Sequence, residues 1–189
     1  MALAEAILVC LTDRPMSGYD LAKNFDASIG FFWRASHQQI YRELGRLRDK
    51  GHVASTEVSQ SGKPNRIVHR ITKAGKIYLQ NWSQKPSRKP SVKDDMLVKL
   101  YALEAVDIDA LREQITLRME QHVGRAKTFQ KIKERFYENK ELSLTEKGKL
   151  IALNIGIEQE DSHVNWCAKM LDEIGALARE HKVEKLHKN

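Results

Sequence analysis

Within nine residues the chain carries Gln38, Gln39, Tyr41, Arg42 and Arg46, and further along Lys63 and Arg66 flank Pro64-Asn65 in a turn sequence. A carboxamide pairs with the edge of adenine, a guanidinium pairs with guanine or a phosphate, and a lysine acts as a point charge against a phosphate. Glutamines followed by arginines therefore suit a helix laid into the major groove of DNA, with Tyr41 able to touch the backbone and Lys63 and Arg66 able to secure a neighbouring loop. An ordinary solvated amphipathic helix is the plainer alternative.

The elements that would position these residues follow from local patterns. Ser36 fits an N-cap, and Ile40, Leu44 and Leu47 recur at i, i+4, i+7 before Gly51, which predicts a helix with one buried stripe. At about 100° per residue, Gln38, Arg42, Gly45, Arg46 and Asp49 fall opposite that stripe, with Gln39 and Tyr41 on its flanks. Ahead of it, Ala2–Leu11 reads as a helix ended by the turn through Pro15. Ser17 then caps a second helix from Gly18 to Asp26, with Tyr19, Leu21, Ala22 and Phe25 on its apolar side. Two β-favouring runs, 52–60 and 66–72, enclose Ser61-Gly62-Lys63-Pro64-Asn65, a turn sequence, so a hairpin with a basic tip is expected. A helix starting near Thr72 and carrying Ile77, Tyr78, Leu79 and Trp82 completes the series, packed under the hairpin. Three helices, hairpin, helix is the winged helix-turn-helix order.

Charge agrees. Residues 1–91 hold 15 Lys/Arg against 7 Asp/Glu, and residues 92–189 hold 17 against 18, so the whole excess of the +7 chain sits in the first half. A polyanion is the simplest partner for such a surface, because binding releases condensed counterions. Only Cys10 and Cys167 occur, so neither a disulfide framework nor a cysteine metal knuckle is expected, and a reducing cytoplasm fits. The apolar start carries Glu5 and lacks a basic flank, which argues for a buried helix over an export signal; no apolar run is long enough to cross a membrane.

Lys85-Pro86-Ser87-Arg88-Lys89-Pro90-Ser91 reads as an extended linker, giving a DNA-binding domain 1–84, a linker 85–91 and a helical domain 92–189. In the second domain a short helix (92–103) precedes two long ones. Asp107 caps the first, where Ile108, Ile115, Phe129 and Phe136 hold a seven-residue register interrupted by His122. Ser143 and Glu146 form a capping-box pattern for the second, where Leu150, Ile157, Val164, Leu171 and Ala178 keep the same spacing and Leu153, Cys167 and Ile174 fall in a second seam. The fold class is thus mainly α with a small β-hairpin, ending in an antiparallel coiled-coil-like domain. Helices of roughly 45 to 55 Å exceed what one partner helix and a short one can cover, which favours a homodimer; an antiparallel hairpin within one chain is the alternative.

The run Ser36-His37-Gln38-Gln39-Ile40-Tyr41-Arg42-Glu43-Leu44, with Leu47, Gly51, Val53, Gly62-Lys63-Pro64 and Ile71-Thr72-Lys73-Ala74-Gly75, resembles PadR-type transcriptional regulators. Ser17-Gly18-Tyr19-Asp20-Leu21, Phe31-Phe32-Trp33 and the large helical C-terminal half are similar to the virulence-activator branch. His69 departs from the family's usual wing tyrosine and is not carried over as a contact. The resemblance implies a homodimer on double-stranded promoter DNA, and some such regulators bind aromatic effectors near the domain junction. Trp33, Trp82 and Trp166 are candidates for stacking on a flat ligand, against the commoner role of core packing.

Other readings carry less. Glu160 and His163 have di-iron spacing in a single copy, so a solvated face is the expectation and no metal or cofactor is implied. His122 is a candidate register-setting polar group or pH switch, against the commoner satisfied or edge histidine, and Cys167 is either a buried hydrophobe or a redox sensor. No catalytic constellation is present in the sequence, so an enzyme is not expected. The alternative from another class is a winged-helix protein-interaction adaptor without specific DNA binding, for which a neutral recognition face would be the mark.

Overall fold

The computed structural model describes residues 3–26, 33, 35–60, 63–87 and 93–187, apart from the side chains of 60, 63, 64 and 180–187. The chain divides into two compact units, Met1–Pro90 and Ser91–Asn189.

The first unit runs α1 (Leu3–Asp13), β1 (Met16–Ser17), α2 (Gly18–Asp26), α3 (His37–Asp49), β2 (Val53–Gln60), β3 (Lys63–Ile71) and α4 (Lys73–Ser83). Its core gathers Ile7, Leu8 and Leu11 of α1, Leu21, Ala22 and Phe25 of α2, Ile40, Leu44 and Leu47 of α3, and Val53 and Ile71 of the strands. Burying each such side chain stabilises by about 1.5–3 kcal/mol, so the stripe of α3 seats that helix firmly. Tyr19, expected on the apolar side of α2, is instead exposed, as are Ile77 and Trp82 of α4; Tyr78 and Leu79 provide the α4 contact with the core. Trp33 is half-buried against the same core, and the rest of the Ile29–Phe32 stretch lies outside the described residues.

The sheet has three antiparallel strands in the order β1-β3-β2. β1, too short to show alternation, lies where the sequence suggests only a turn: Met16 pairs with His69 and Ser17 with Val68. β3 begins at Lys63, three residues earlier than expected, and pairs Lys63 with Gln60 after a register shift between Val58 and Gln60. Pro64, next to Lys63 on β3, has no N–H to give to a ladder.

A polar cluster fastens α1, α4 and the turn after α3. Glu5, buried within α1, accepts a 2.5 Å hydrogen bond from the Tyr78 hydroxyl, and this bond, ahead of burial, pushes the Tyr78 pKa up to about 12. The Tyr78 ring stacks on His52 at 4.6 Å. Thr72 caps α4 by accepting from the Gly75 N–H, and its hydroxyl donates to the Gly51 carbonyl at 2.7 Å while its N–H donates to His52 at 3.0 Å.

The second unit comprises α5 (Asp95–Tyr101), a 3-10 turn (Leu103–Ala105), α6 (Ile108–Tyr137) and α7 (Leu144–His187). Asp107 caps α6 by accepting from Ala110, and Ser143 and Glu146 complete the expected capping box. At 44 residues α7 extends to about 66 Å, beyond the expected length. α6 and α7 pack antiparallel, as Phe129 beside Gly156, His122 beside Glu160 and Arg118 beside Trp166 establish. The core here is Met96, Leu111, Ile115, Cys167, Met170 and Ile174, with Trp166 half-buried against it.

Glu160 corrects the sequence reading, whereas His122 keeps its expected place in the register. Glu160 is not on a solvated face: it occupies the gap between Leu153 and Cys167 in the buried seam of α7, opposite the gap His122 makes in α6. His122 Nδ1 lies 2.6 Å from Glu160 Oε2, Arg125 Nε lies 3.0 Å from Glu160 Oε1, and the exposed His163 ring stacks on His122 at 4.6 Å. Burial lowers the His122 pKa, opposed by the Glu160 contact and reinforced by the Arg125 and His163 charges. Burial likewise raises the Cys167 thiol, the opposite of what a reactive thiolate requires. No group among the described residues has the makings of a metal site, and no helix among them is long and apolar enough to cross a membrane.

Candidate nucleic-acid interface

The start of α3 is fixed by a capping box: the Ser36 hydroxyl accepts from the Gln39 N–H at 3.2 Å, and the Ser36 N–H donates to Gln39 Oε1 at 2.8 Å. Gln39 thus has its carboxamide oxygen engaged in holding the helix end, which leaves its amide group for any outside partner. The Ser-x-x-Gln spacing already carried that signal. Gln38, Arg42 and Arg46 stand exposed on the face opposite Ile40, Leu44 and Leu47. Arg42 makes no ion pair among the described residues, whereas Arg46 lies 3.1 Å from Glu43. Arg48, absent from the sequence reading, is exposed as well and pairs with Asp49 at 3.1 Å.

Tyr41 joins α3 to the start of α2. A Cβ at Gly18 would come within 2.3 Å of its ring, so the half-exposed tyrosine rests in a notch that only glycine leaves open. Next to it Tyr19 is 64% exposed, a large aromatic on the same helix end that the apolar pattern had assigned to the interior.

On β3, Arg66 forms an ion pair with Asp20 in the first turn of α2, and Asp20 also accepts from the Ser17 hydroxyl at 2.9 Å. The backbone of Lys63 starts β3, while its side chain and the Ser61-Gly62 tip lie outside the described residues. His69 Nδ1 is 2.9 Å from the Ser55 hydroxyl across the hairpin, and burial lowers its pKa, followed by the effect of Arg48. The Ser55 contact ties His69 into the sheet.

The unit therefore brings Gln38, Gln39, Tyr41, Arg42 and Arg46 onto one helix surface, with Arg66 joined to α2 beside that helix. A winged helix-turn-helix followed by a long helical hairpin is the architecture of a two-domain regulator. Residues 7–81 match the model of the PadR-like transcriptional regulator family, and residues 92–175 match that of the virulence activator alpha C-terminal region. A probable transcriptional regulator of Mycobacterium tuberculosis is 35% identical, over 96% of this chain and all of its own length. Bacillus subtilis PadR in complex with operator DNA superposes with a TM-score of 0.79 at 26% identity, covering 91% of this chain and 97% of that one. The Vibrio cholerae virulence activator AphA superposes with a TM-score of 0.75 at 31% identity, covering 93% and 99%. The chain belongs to the PadR-like family of transcriptional regulators.

Proposed function

We propose that the protein is a sequence-specific DNA-binding regulator that acts as a homodimer on a partly palindromic promoter site. The observation that carries this reading is the capped, firmly seated α3, whose outward face presents Gln38, Arg42 and Arg46 from the unit holding the chain's excess positive charge. Gln38, Gln39, Arg42 and Arg46 read base edges or anchor phosphates, Tyr41 touches the backbone, and Lys63 and Arg66 secure the wing. The relative of known complex, Bacillus subtilis PadR, carries operator DNA on the same fold, which supports the docking. A two-fold dimer sets two recognition helices about 34 Å apart for successive major grooves. The role is one of binding, carried out in the cytoplasm, and involves no catalytic step, cofactor or metal; a small-molecule effector is compatible with it.

Titrating the purified chain against the duplex upstream of its own gene and an unrelated duplex, at two salt concentrations and with sedimentation of the same sample, tests the reading. Tight binding of the upstream duplex by a dimer is expected. Equal, weak binding of both, lost as salt rises, would favour the adaptor alternative, which draws on one observation: Arg46, Arg48 and Arg66 already have carboxylate partners within the chain.

A further inference from the structure

Gly45 lies in the interior of α3, where glycine is the poorest helix former short of proline. Two needs commonly place a glycine, an unusual backbone conformation and a shortage of room, and neither applies. Among the described glycines Gly51 alone has a positive φ. A Cβ at Gly45 would meet nothing within 4 Å among the described residues, whereas one at Gly18 or Gly75 would run into Tyr41 or His52. One turn to either side stand Tyr41, Arg42, Arg48 and Asp49, all exposed, and none of them fills the gap. The Tyr41 ring is held in the notch at Gly18, and Arg48 is paired with Asp49. The outward face of the recognition helix therefore carries a gap in its side chains, beside Arg42 and Arg46. Gly124 and Gly148 are equally open, but they lie in the second unit, which holds none of the groups offered to DNA.

We propose that Gly45 is a specificity-determining residue: it is where α3 comes closest to the duplex, and its missing side chain sets how deep the helix enters the major groove. This inference rests on the DNA-binding reading above. Glycine is the residue that lets a backbone approach a ligand closely. A methyl group at this point would hold the helix off by about 1.5 Å, the length of one carbon–carbon bond. Arginines can follow a retreat of that size on their long stems and keep phosphates in reach. The shorter Gln38 cannot, because a hydrogen-bonded pair with a base edge survives only within about half an ångström. On a non-cognate duplex the protein is held by phosphates without close entry into the groove, so the methyl touches nothing. Gly45 thus weakens the helix and strengthens selectivity.

The test compares the full native chain with Gly45→Ala, by thermal melting and by titration on the upstream duplex and an unrelated duplex of equal length. Stability and recognition should move in opposite directions. The melting transition of the first unit should rise by about 3–6 °C, because alanine is the better helix former and has room. Affinity for the upstream duplex should fall about five- to a hundredfold, the loss of one base-edge pair. Affinity for the unrelated duplex should change less than about twofold, and the logarithmic salt slope should stay unchanged on both, since no phosphate contact is lost. Gly45→Leu should lower upstream binding further. Unchanged upstream binding by Gly45→Ala, or an equal loss on both duplexes, would overturn the proposal. So would a lowered melting transition, which would mean that the fold itself requires the glycine. A native chain with no preference for the upstream duplex would sink the DNA-binding reading, whereas a preference that survives Gly45→Ala sinks only the role of Gly45.

Discussion

Gly75 sits in the first turn of α4, where helix propensity alone says alanine should be better by about 1 kcal/mol. The structure says the reverse. A Cβ at Gly75 would lie 2.3 Å from the His52 carbonyl oxygen and 2.9 Å from Ile71 Cγ1, and the first of these is backbone. Relief needs α4 to move about 1 Å from the turn that follows α3, to reach ordinary contact distances. That movement strains the two bonds Thr72 makes to this turn, 3.0 Å to His52 and 2.7 Å to Gly51. Losing them costs about 0.5–1.5 kcal/mol each, and overpacking adds about 1–3 kcal/mol. Set against the propensity gain, Gly75→Ala should destabilise the first unit by about 3 kcal/mol, which for a domain of this size lowers its melting transition by more than about 10 °C. Gly124→Ala is the control: nothing lies within 4 Å of its Cβ position in α6, so that variant should gain up to about 1 kcal/mol. Calorimetry of the full chain measures both. If Gly75→Ala melts at or above the native temperature, the close approach of α4 to His52 is wrong, and with it this account of the Ile71-Thr72-Lys73-Ala74-Gly75 motif.

Arg42→Ala should weaken binding to the upstream duplex about tenfold or more if Arg42 meets a guanine, or reduce the logarithmic salt slope by about 0.9 with little change in selectivity if it meets a phosphate; no change in either, with the fold intact, removes it from the interface. Replacing Ile151 and Ile155, both at least half exposed on α7, by Glu should give a helical monomer in sedimentation at concentrations where the native chain is a dimer, and should weaken upstream binding. A persisting dimer would place the interface elsewhere. The lowered His122 pKa makes the unfolded chain bind the proton more readily, so the stability contributed by neutral His122 is complete above its ordinary value of 6.5 and is lost as pH falls below it. The second unit should therefore melt at lower temperature at pH 5 than at pH 7, and this dependence should flatten in His122→Gln; an equal slope in that variant would move its origin to another group.

What could be read from the sequence was whatever a single element declares by itself. Asp107, and Ser143 with Glu146, announce their helix starts because a cap is a local hydrogen bond. The stripe Ile40, Leu44, Leu47 settles which face of α3 looks outward. Residues that meet from separate elements gave no such sign. β1 exists only because Met16 and Ser17 find His69 and Val68 some fifty residues on, and Arg66 read as a free wing cation because nothing local names Asp20 as its partner. Gln39 is a different case, since its capping role was local and legible but was passed over for the chemistry of its side chain. Tyr19 and Trp82 show the limit of apolar counting: an amphipathic ring satisfies a hydrophobic pattern and still ends at the surface.

The two gaps in the apolar seams of α6 and α7 belong together, and they bear on how the hairpin is assembled. A polar pair replacing an apolar layer in the middle of a two-helix seam sacrifices hydrophobic contact, but it makes every other register worse. Sliding α7 by one heptad would set His122 against Leu153 or Cys167 and strand Glu160 and Arg125 without their partners. The pair thus fixes the register of a hairpin whose heptads alone would tolerate a slip. Register in turn decides which apolar residues remain outside. Leu153, Cys167, Met170 and Ile174 are consumed by the hairpin, whereas Leu150, Ile157, Val164 and Leu171, the stricter repeat in the sequence, are left half-buried along its edge, with Leu144, Ile151, Ile155 and Leu177 exposed. The intrachain hairpin and the dimer are therefore not competing readings of one stripe. α7 carries two seams, and closing the first inside the chain leaves the second for a partner.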